Sequence, residues 1–182
     1  VNSSRYEQGT SWTVQEWTLA VYPQRAGAFE IPEITGQVSI AGDNLEAIVG
    51  KLTTPAMSIF VGMPEPILAG MSNKSSWVAT TRFEVDESYD KPFDRFKPGD
   101  AIVRTIRMSS DNLPAMMLPE VTAEQIDGVA VYPKPPQLQD QVNRGTYLAE
   151  RTQTTTYVFE KAGTYLLPAK HFYWWDLNAG SF

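Results

Sequence analysis

The chain is dominated by runs in which apolar and polar side chains alternate with a period of two residues. Such runs occupy residues 13–22, 101–108, 152–159 and 165–175. They are rich in β-branched and aromatic residues, and successive strand side chains point to opposite faces, so the runs predict strands. Turn residues separate them roughly every ten residues, and 13 prolines disfavour long helices. We therefore expect an all-β chain that forms β-sandwiches.

A short pattern at residues 24–32 returns at residues 160–168. Both copies contain Ala-Gly, then an aromatic residue, an aliphatic residue and Pro, at the same spacing. The repeat predicts two copies of one β-domain. Gly27 and Gly163 are expected in turns with a positive φ, and Pro32 and Pro168 at strand ends, in equivalent corners of two sandwiches.

A proline-containing segment at residues 62–66 marks the predicted domain boundary. The predicted domains are residues 1–63 and residues 64–182, with a strand at 56–61 closing the first. A seven-stranded sandwich needs about 100 residues, so the first domain either lacks its first strands or is a reduced sandwich. A helix of one or two turns is expected at residues 122–126, because Thr122 and Gln125 have capping-box spacing.

The composition excludes several classes of function. The net charge is −6 and Lys and Arg are not clustered, which argues against nucleic acid or an anionic membrane surface as the partner. Cysteine is absent, which excludes disulfides, cysteine nucleophiles and cysteine-zinc sites. No apolar stretch reaches the roughly 18 residues of a membrane span. Since the chain starts at Val1 inside a polar run, we expect it to be a piece of a longer protein.

Residue patterns typical of catalysis or metal binding are weak. The single histidine, His171, lies in an aromatic run, where a strand residue is the simplest interpretation. Ser88 and Lys91 match a Ser-x-x-Lys spacing, but Pro92 disfavours the helical turn that this chemistry needs. An acidic cluster lacks the spacing of a calcium loop, so a solvated strand end is the preferred interpretation; it comprises Glu84, Asp86, Glu87, Asp90 and Asp94. We expect no catalytic residues, no cofactor and no metal.

Two aromatic or proline-rich segments form the candidate interaction surface. Residues 131–136 are stiff and extended, so they either dock a partner or end a strand and block its edge. Adjacent strand residues point to opposite faces, so at most one of two neighbouring tryptophans faces outward. The candidate residues are Tyr132, Lys134, Pro135, Tyr173, Trp174 and Trp175.

A set of short motifs follows in order from about residue 10 to the end. The motifs are residues 22–32, Lys97-Pro98-Gly99-Asp100 with Arg104-Thr105-Ile106, residues 113–119, residues 131–136, Gly145 with Glu150-Arg151-Thr152-Gln153, residues 162–168, and Trp174-Trp175-Asp176. Together they resemble the periplasmic region of the BatD family, the "oxygen tolerance" proteins of bacterial Bat (Bacteroides aerotolerance) operons.

The resemblance implies tandem immunoglobulin-like β-sandwich domains outside the cytoplasmic membrane, in a protein anchored near its C-terminus. It implies partners among the other Bat proteins, which carry von Willebrand A domains, a genomic link to a MoxR-type ATPase, and no enzymatic activity. The predicted function is a non-catalytic periplasmic protein-interaction module of an inner-membrane protein. The alternative is a carbohydrate- or peptidoglycan-binding β-sandwich that uses exposed aromatic rings.

Overall fold

The chain forms two compact units, Val1–Gly70 and Met71–Phe182. The computed structural model describes residues 2–23, 25–41, 46–65, 77–93, 95–143 and 146–182. Among these residues, no helix is both long and apolar enough to cross a membrane.

The first unit consists of three antiparallel strand pairs. β1 (Asn2–Glu7) pairs with β2 (Thr10–Gln15), β3 (Gly27–Ile31) with β6 (Met57–Val61), and β4 (Thr35–Ala41) with β5 (Ala47–Thr53). Gln8 and Gly9 connect β1 to β2 with positive φ angles of 49° and 83°. Positive φ angles at both turn residues are typical of two-residue hairpin turns, because the twist of such a turn matches the twist of the flanking strands.

The strand pairs of the first unit bury little apolar surface. No described residue of this unit is buried. Many large apolar side chains are exposed instead, among them Ile40, Ile48, Leu52 and Phe60. Because a two-stranded ladder without a covered face is marginally stable in water, these pairs depend on hydrogen bonds and cross-strand contacts.

The second unit contains a five-stranded antiparallel sheet and a short parallel pair. Its strands are β7 (Trp77–Thr80), β8 (Phe83–Tyr89), β9 (Ala101–Asp111), β10 (Val129–Pro133), β11 (Gln137–Asn143), β12 (Thr146–Phe159) and β13 (Tyr173–Asp176). The larger sheet has the order β10-β12-β9-β8, with β11 also paired to β12, and β7 pairs with β13. A 3₁₀ helix, η1, spans Ala115–Met117.

The core of the second unit lies on one face of β9 and β12. One group, here called the Met108 cluster, includes Ile106, Met108, Leu118 and Ala149. The other, the Tyr157 cluster, contains Ile102, Val129, Tyr157 and Phe159. The inward positions between these two clusters are polar and also buried: Arg104, Arg151, Gln153 and Thr155. We call these four residues the polar belt.

A β-bulge separates β10 from β11 along β12. Pro133 lies opposite Thr155, whereas Gln137 lies opposite Thr152. Three residues, 134–136, thus face two, Gln153 and Thr154, which is the count of a bulge. The side chain of Gln153 donates a 2.6 Å hydrogen bond to the Lys134 carbonyl and so satisfies the interrupted ladder. Residues 131–136 therefore end one strand and offset the next.

The prediction of an all-β chain is confirmed, and the strands predicted at 101–108 and 152–159 are present and longer. Three local predictions are wrong. Residues 16–22 follow β2 without forming strand, residues 122–126 are not helical, and residues 165–172 are irregular up to β13. Residues 165–172 resemble a strand in sequence because Tyr165 and Leu167, two positions apart, both pack on the Tyr157 cluster. Their backbone nevertheless pairs with no strand.

The predicted equivalence of the two Ala-Gly repeats is also wrong. Gly27 has a φ of 124° and begins β3, and Pro32 follows that strand as expected. Gly163 lies instead in a bend after β12, without a left-handed φ, and Pro168 follows irregular backbone. The shared residues therefore do not mark one structural corner.

The contrast in burial between the units predicts unequal costs for one substitution. Ile102 is completely buried and Ile40 is 57% exposed, and both lie on strands. Ile102→Val should lower the free energy of unfolding by about 0.5–1.5 kcal/mol, and Ile40→Val should change it by less than about 0.5 kcal/mol. Both replacements keep a β-branched side chain, so strand propensity is matched. Urea denaturation of the full chain, with the transition of each unit followed separately, measures both changes, and equal effects would contradict the assignment of the core.

Candidate functional site

A cavity of about 310 Å³ opens in the second unit beside β8 and β9. Five apolar side chains and three charged ones line it: Phe83, Val85, Ile106, Phe172, Trp174, Glu87, Arg104 and Lys170. The two strands supply one wall, and the segment that leads into β13 supplies the other. Apolar walls with a few fixed polar groups are typical of small binding pockets.

Arg104 provides the buried positive charge of this cavity. Its position on β9 has the same parity as Ile102 and Ile106, so the side chain points inward and is only 4% exposed. Its Nε donates a 2.5 Å hydrogen bond to Oε1 of Glu87, and its Nη1 donates one of 3.2 Å to the carbonyl of Pro168. The guanidinium therefore links β8 to the segment before β13, here called the covering segment, which contains Pro168.

Two tyrosines share the surroundings of Arg104. The Tyr89 hydroxyl donates a 2.9 Å hydrogen bond to Glu87, and burial together with this bond raises the pKa of Tyr89 to about 12. Burial also raises the pKa of Tyr157, against the opposing influence of Arg104. Burial lowers the pKa of Arg104, but its interactions with Tyr157, Tyr89 and Glu87 outweigh burial and raise it overall. Arg104 is thus charged and both phenols are neutral at physiological pH.

A second ion pair joins Lys170 to Glu124. The Lys170 ammonium also donates a 2.5 Å hydrogen bond to the Thr122 carbonyl. The Thr122 carbonyl and the Glu124 carboxylate both lie in the segment that the capping-box spacing predicts as helical, and both are bound by a side chain from outside that segment. The other carboxylate oxygen of Glu124, Oε2, is buried without a hydrogen-bond partner among the described residues.

The charges of the site are compensated in pairs. Arg104 pairs with Glu87, which also lines the cavity, and Lys170 pairs with Glu124, which lies outside the lining, so each cation of the cavity has an anionic partner. An arrangement of this kind can hold an apolar body whose end carries hydrogen-bonding groups. In the described part of the chain, no group of three or more acidic or histidine side chains is placed to hold a metal.

The predicted interaction residues fall on two different sheets. Tyr132 is exposed near the end of β10, and the bulge that follows contains Lys134 and Pro135. Tyr173 and Trp174 lie on β13, in the parallel pair. The predicted residues thus do not form one surface along a strand.

The two neighbouring tryptophans of β13 have different surroundings. Trp174 lines the cavity, and its Nε1 donates a 2.9 Å hydrogen bond to the Thr80 carbonyl. Trp175 packs edge-to-face on Phe182, with ring centroids 5.1 Å apart at 73°, and Phe182 makes a similar contact with Trp77. These rings are not coplanar, so they do not form the flat platform on which a sugar stacks.

The remaining candidate chemistry is dispersed. His171 is exposed and lies just before β13 rather than in a strand. Ser88 lies in β8, so Ser88 and Lys91 are not one helical turn apart. Of the acidic cluster, Glu84 pairs with Arg82 and Asp90 accepts a 2.7 Å hydrogen bond from the Val103 amide. Asp94 lies outside the described residues.

Sequence reasoning missed the charged residues of the cavity. Arg104 was visible as a charge between two inward-facing isoleucines, which is a detectable signal of a buried polar site. Glu87 was assigned to a solvated acidic cluster. Lys170 and Glu124 carried no signal, because their pairing joins positions far apart in the chain.

A second cavity of about 450 Å³ lies near the Tyr157 cluster. Aromatic rings of Phe93, Phe96, Phe159 and Tyr165 dominate its lining, together with Arg95 and Lys161. Phe159 stacks between Phe96 and Tyr165 at centroid distances of 4.9 and 5.4 Å. Its rings therefore contribute mainly to packing at this end of the sheet.

Comparison of the chain with protein-family models, with curated proteins and with solved structures finds no match. The resemblance to the BatD family therefore depends on the ordered motifs of the sequence alone.

The raised pKa of Tyr89 predicts a pH dependence of stability. The folded chain holds the Tyr89 proton up to about pH 12, whereas the unfolded chain releases it near the ordinary value of 10.0. The contribution of Tyr89 is therefore complete below pH 10 and is lost as the pH rises towards 12. Tyr89→Phe has no such proton and should show a shallower loss of stability across this window than the wild type.

Urea denaturation at intervals between pH 8 and pH 12 measures this slope, and Tyr132→Phe is the matched control at an exposed tyrosine. An identical slope for wild type and Tyr89→Phe would show that the phenol of Tyr89 is not held by the fold.

Proposed function

We propose that this chain is a non-catalytic protein-interaction module and that the Arg104 cavity receives an anchoring side chain of the partner. The observation that carries the proposal is the cavity itself, whose walls are apolar and whose charges are paired within the chain. Well-packed pockets that take one apolar or aromatic anchor are typical energetic centres of protein interfaces.

The electrostatics of the site favour binding over chemistry. A general base or nucleophile needs a group poised to exchange a proton with a substrate. Glu87 instead accepts hydrogen bonds from both Arg104 and Tyr89, and Tyr89 keeps its proton at neutral pH. These groups hold each other in place, as expected of the rigid polar rim of a docking pocket.

The exposed apolar side chains of the first unit support a protein partner. Ile40, Ile48 and Leu52 are exposed on β4 and β5, and Phe60 is exposed on β6. Exposed apolar groups of this number are more typical of interaction surfaces than of a monomeric surface in water. A protein partner can cover such aliphatic groups, whereas a glycan would pair mainly with aromatic faces and hydrogen-bonding groups.

The partner and the location are inferred from the motif resemblance. On this basis the chain is the periplasmic region of a BatD-like inner-membrane protein, with tandem immunoglobulin-like sandwiches. Its partners would be Bat proteins with von Willebrand A domains, in assemblies linked to aerotolerance and to a MoxR-type ATPase. The net charge of −6 supports a protein rather than a nucleic acid as the partner.

The proposal predicts that a charge at the cavity mouth weakens binding. Val85 lines the cavity and is partly exposed, so Val85→Asp should fold while placing an unpaired carboxylate where the anchor docks. Affinity for a von Willebrand A domain encoded in the same operon should fall at least about tenfold, equivalent to about 1.4 kcal/mol. Isothermal titration calorimetry measures it, and circular dichroism checks the fold.

Val21→Asp is the control, because Val21 is also an exposed valine but lies outside the cavity and outside the exposed apolar strands β4, β5 and β6. It should leave the affinity unchanged. Binding of glycan or murein fragments, with no binding of any von Willebrand A domain, would overturn the proposal in favour of the carbohydrate-binding alternative.

A further inference from the structure

The five-stranded sheet of the second unit ends in strands that differ in how well their free edges are protected. β10 ends at Pro133, and two more prolines follow within the bulge. β8 carries Glu84, Asp86 and Glu87. Proline and charge are the usual means by which proteins prevent an edge from pairing with another chain.

β11 lacks this protection. It spans seven residues, Gln137–Asn143, with no proline, no lysine and Asp140 as its single charge. It pairs with β12 on one side, and no described strand pairs with its other side. Its backbone can therefore accept a further antiparallel strand.

The sequence of β11 is nearly symmetric about its centre. Gln139 and Gln141 flank Asp140, and Leu138 and Val142 lie one position further out. If two β11 strands paired antiparallel with Asp140 opposite Asp140, Leu138 would face Val142 and Gln139 would face Gln141. A two-fold interface requires such self-complementarity. If residue i of one copy contacts residue j of the other, residue j of the first copy must contact residue i of the second.

The apolar positions of β11 are exposed in the single chain. Leu138 is 46% exposed and Val142 is 69% exposed. They share a face with Asp140, whose Oδ1 accepts a 2.7 Å hydrogen bond from the Ala115 amide of η1. Met116 of η1 is exposed as well. A second strand in the stated register would cover Leu138 and Val142 of both copies.

We propose that the chain forms a symmetric dimer in which β11 pairs antiparallel with β11 of a second copy, centred on Asp140. The pairing joins two five-stranded sheets into one continuous sheet. It does not depend on the Arg104 cavity or on the function proposed for it, since β8 and β11 lie at opposite edges of the sheet.

The same geometry places two carboxylates opposite each other. Like charges directly opposite on neighbouring strands are destabilising. The hydrogen bond from Ala115 draws each Asp140 side chain towards its own η1 and limits the repulsion without removing it. The dimer is therefore reversible, and its affinity is sensitive to the charge at position 140.

Sedimentation equilibrium over a range of concentrations tests the dimer with three variants of the full chain. Val142→Asp should abolish dimerisation, since it places a further carboxylate opposite Leu138 and beside the two Asp140 side chains. Asp140→Asn retains an oxygen acceptor for the Ala115 amide but removes the repulsion, so it should tighten the dimer about threefold. Val85→Lys, at the opposite edge, is the control and should leave the dimer unchanged.

Disulfide trapping tests the register. The chain contains no cysteine, so introduced thiols have no competitors. A mixture of Gln139→Cys and Gln141→Cys chains should form a crosslinked dimer on mild oxidation, because directly opposite strand residues lie within disulfide distance. A mixture of Glu84→Cys and Asp86→Cys chains should not crosslink. A wild-type chain that stays monomeric at every concentration, or a dimer that Val142→Asp leaves intact, would overturn the proposal.

Discussion

The long antiparallel ladder between β9 and β12 determines the architecture of the second unit. It pairs Ala101 with Val158 at one end and Asp111 with Leu148 at the other. Because side chains alternate, this register decides which residues meet inside. It places Arg104 beside Thr155 and Ile106 beside Gln153, so the polar belt crosses both strands between the two apolar clusters. The strand register thus divides the core into two apolar clusters that the polar belt separates.

A buried guanidinium makes the site dependent on elements from several parts of the chain. Arg104 loses hydration on folding, and that cost is offset only when its donors reach Glu87 on β8 and the Pro168 carbonyl of the covering segment. Removing one partner would leave a buried charge poorly compensated, whereas an apolar replacement of the whole network would not. The walls of the cavity are therefore held in place by the contacts that compensate the buried charge of Arg104, as well as by packing.

Period-two alternation identified the strand class directly from the sequence, but it did not show that the face of β9 with Arg104 is the buried one. It failed at residues 165–172, because an extended segment that inserts Tyr165 and Leu167 into a core shows the same alternation as a ladder strand. The capping-box spacing also failed at residues 122–126, where the Thr122 carbonyl accepts a hydrogen bond from Lys170, 48 positions further along the chain. Local patterns predict which residues are buried; which segments pair depends on contacts that no local pattern contains.

The same alternating pattern leads to a buried face in the second unit and to exposed apolar side chains in the first. In the second unit, inward side chains of β9 and β12 are covered by η1, by residues 165–172 and by β13, and burial supplies most of the stabilising free energy. In the first unit, Ile40 and Ile48 lie directly opposite each other on β4 and β5, and both are exposed. Cross-strand contact of this kind contributes about 0.2–1 kcal/mol per pair, less than a covered core residue provides. Any protein that covers the first unit therefore stabilises it as it binds, since binding to the folded form alone shifts the folding equilibrium towards that form.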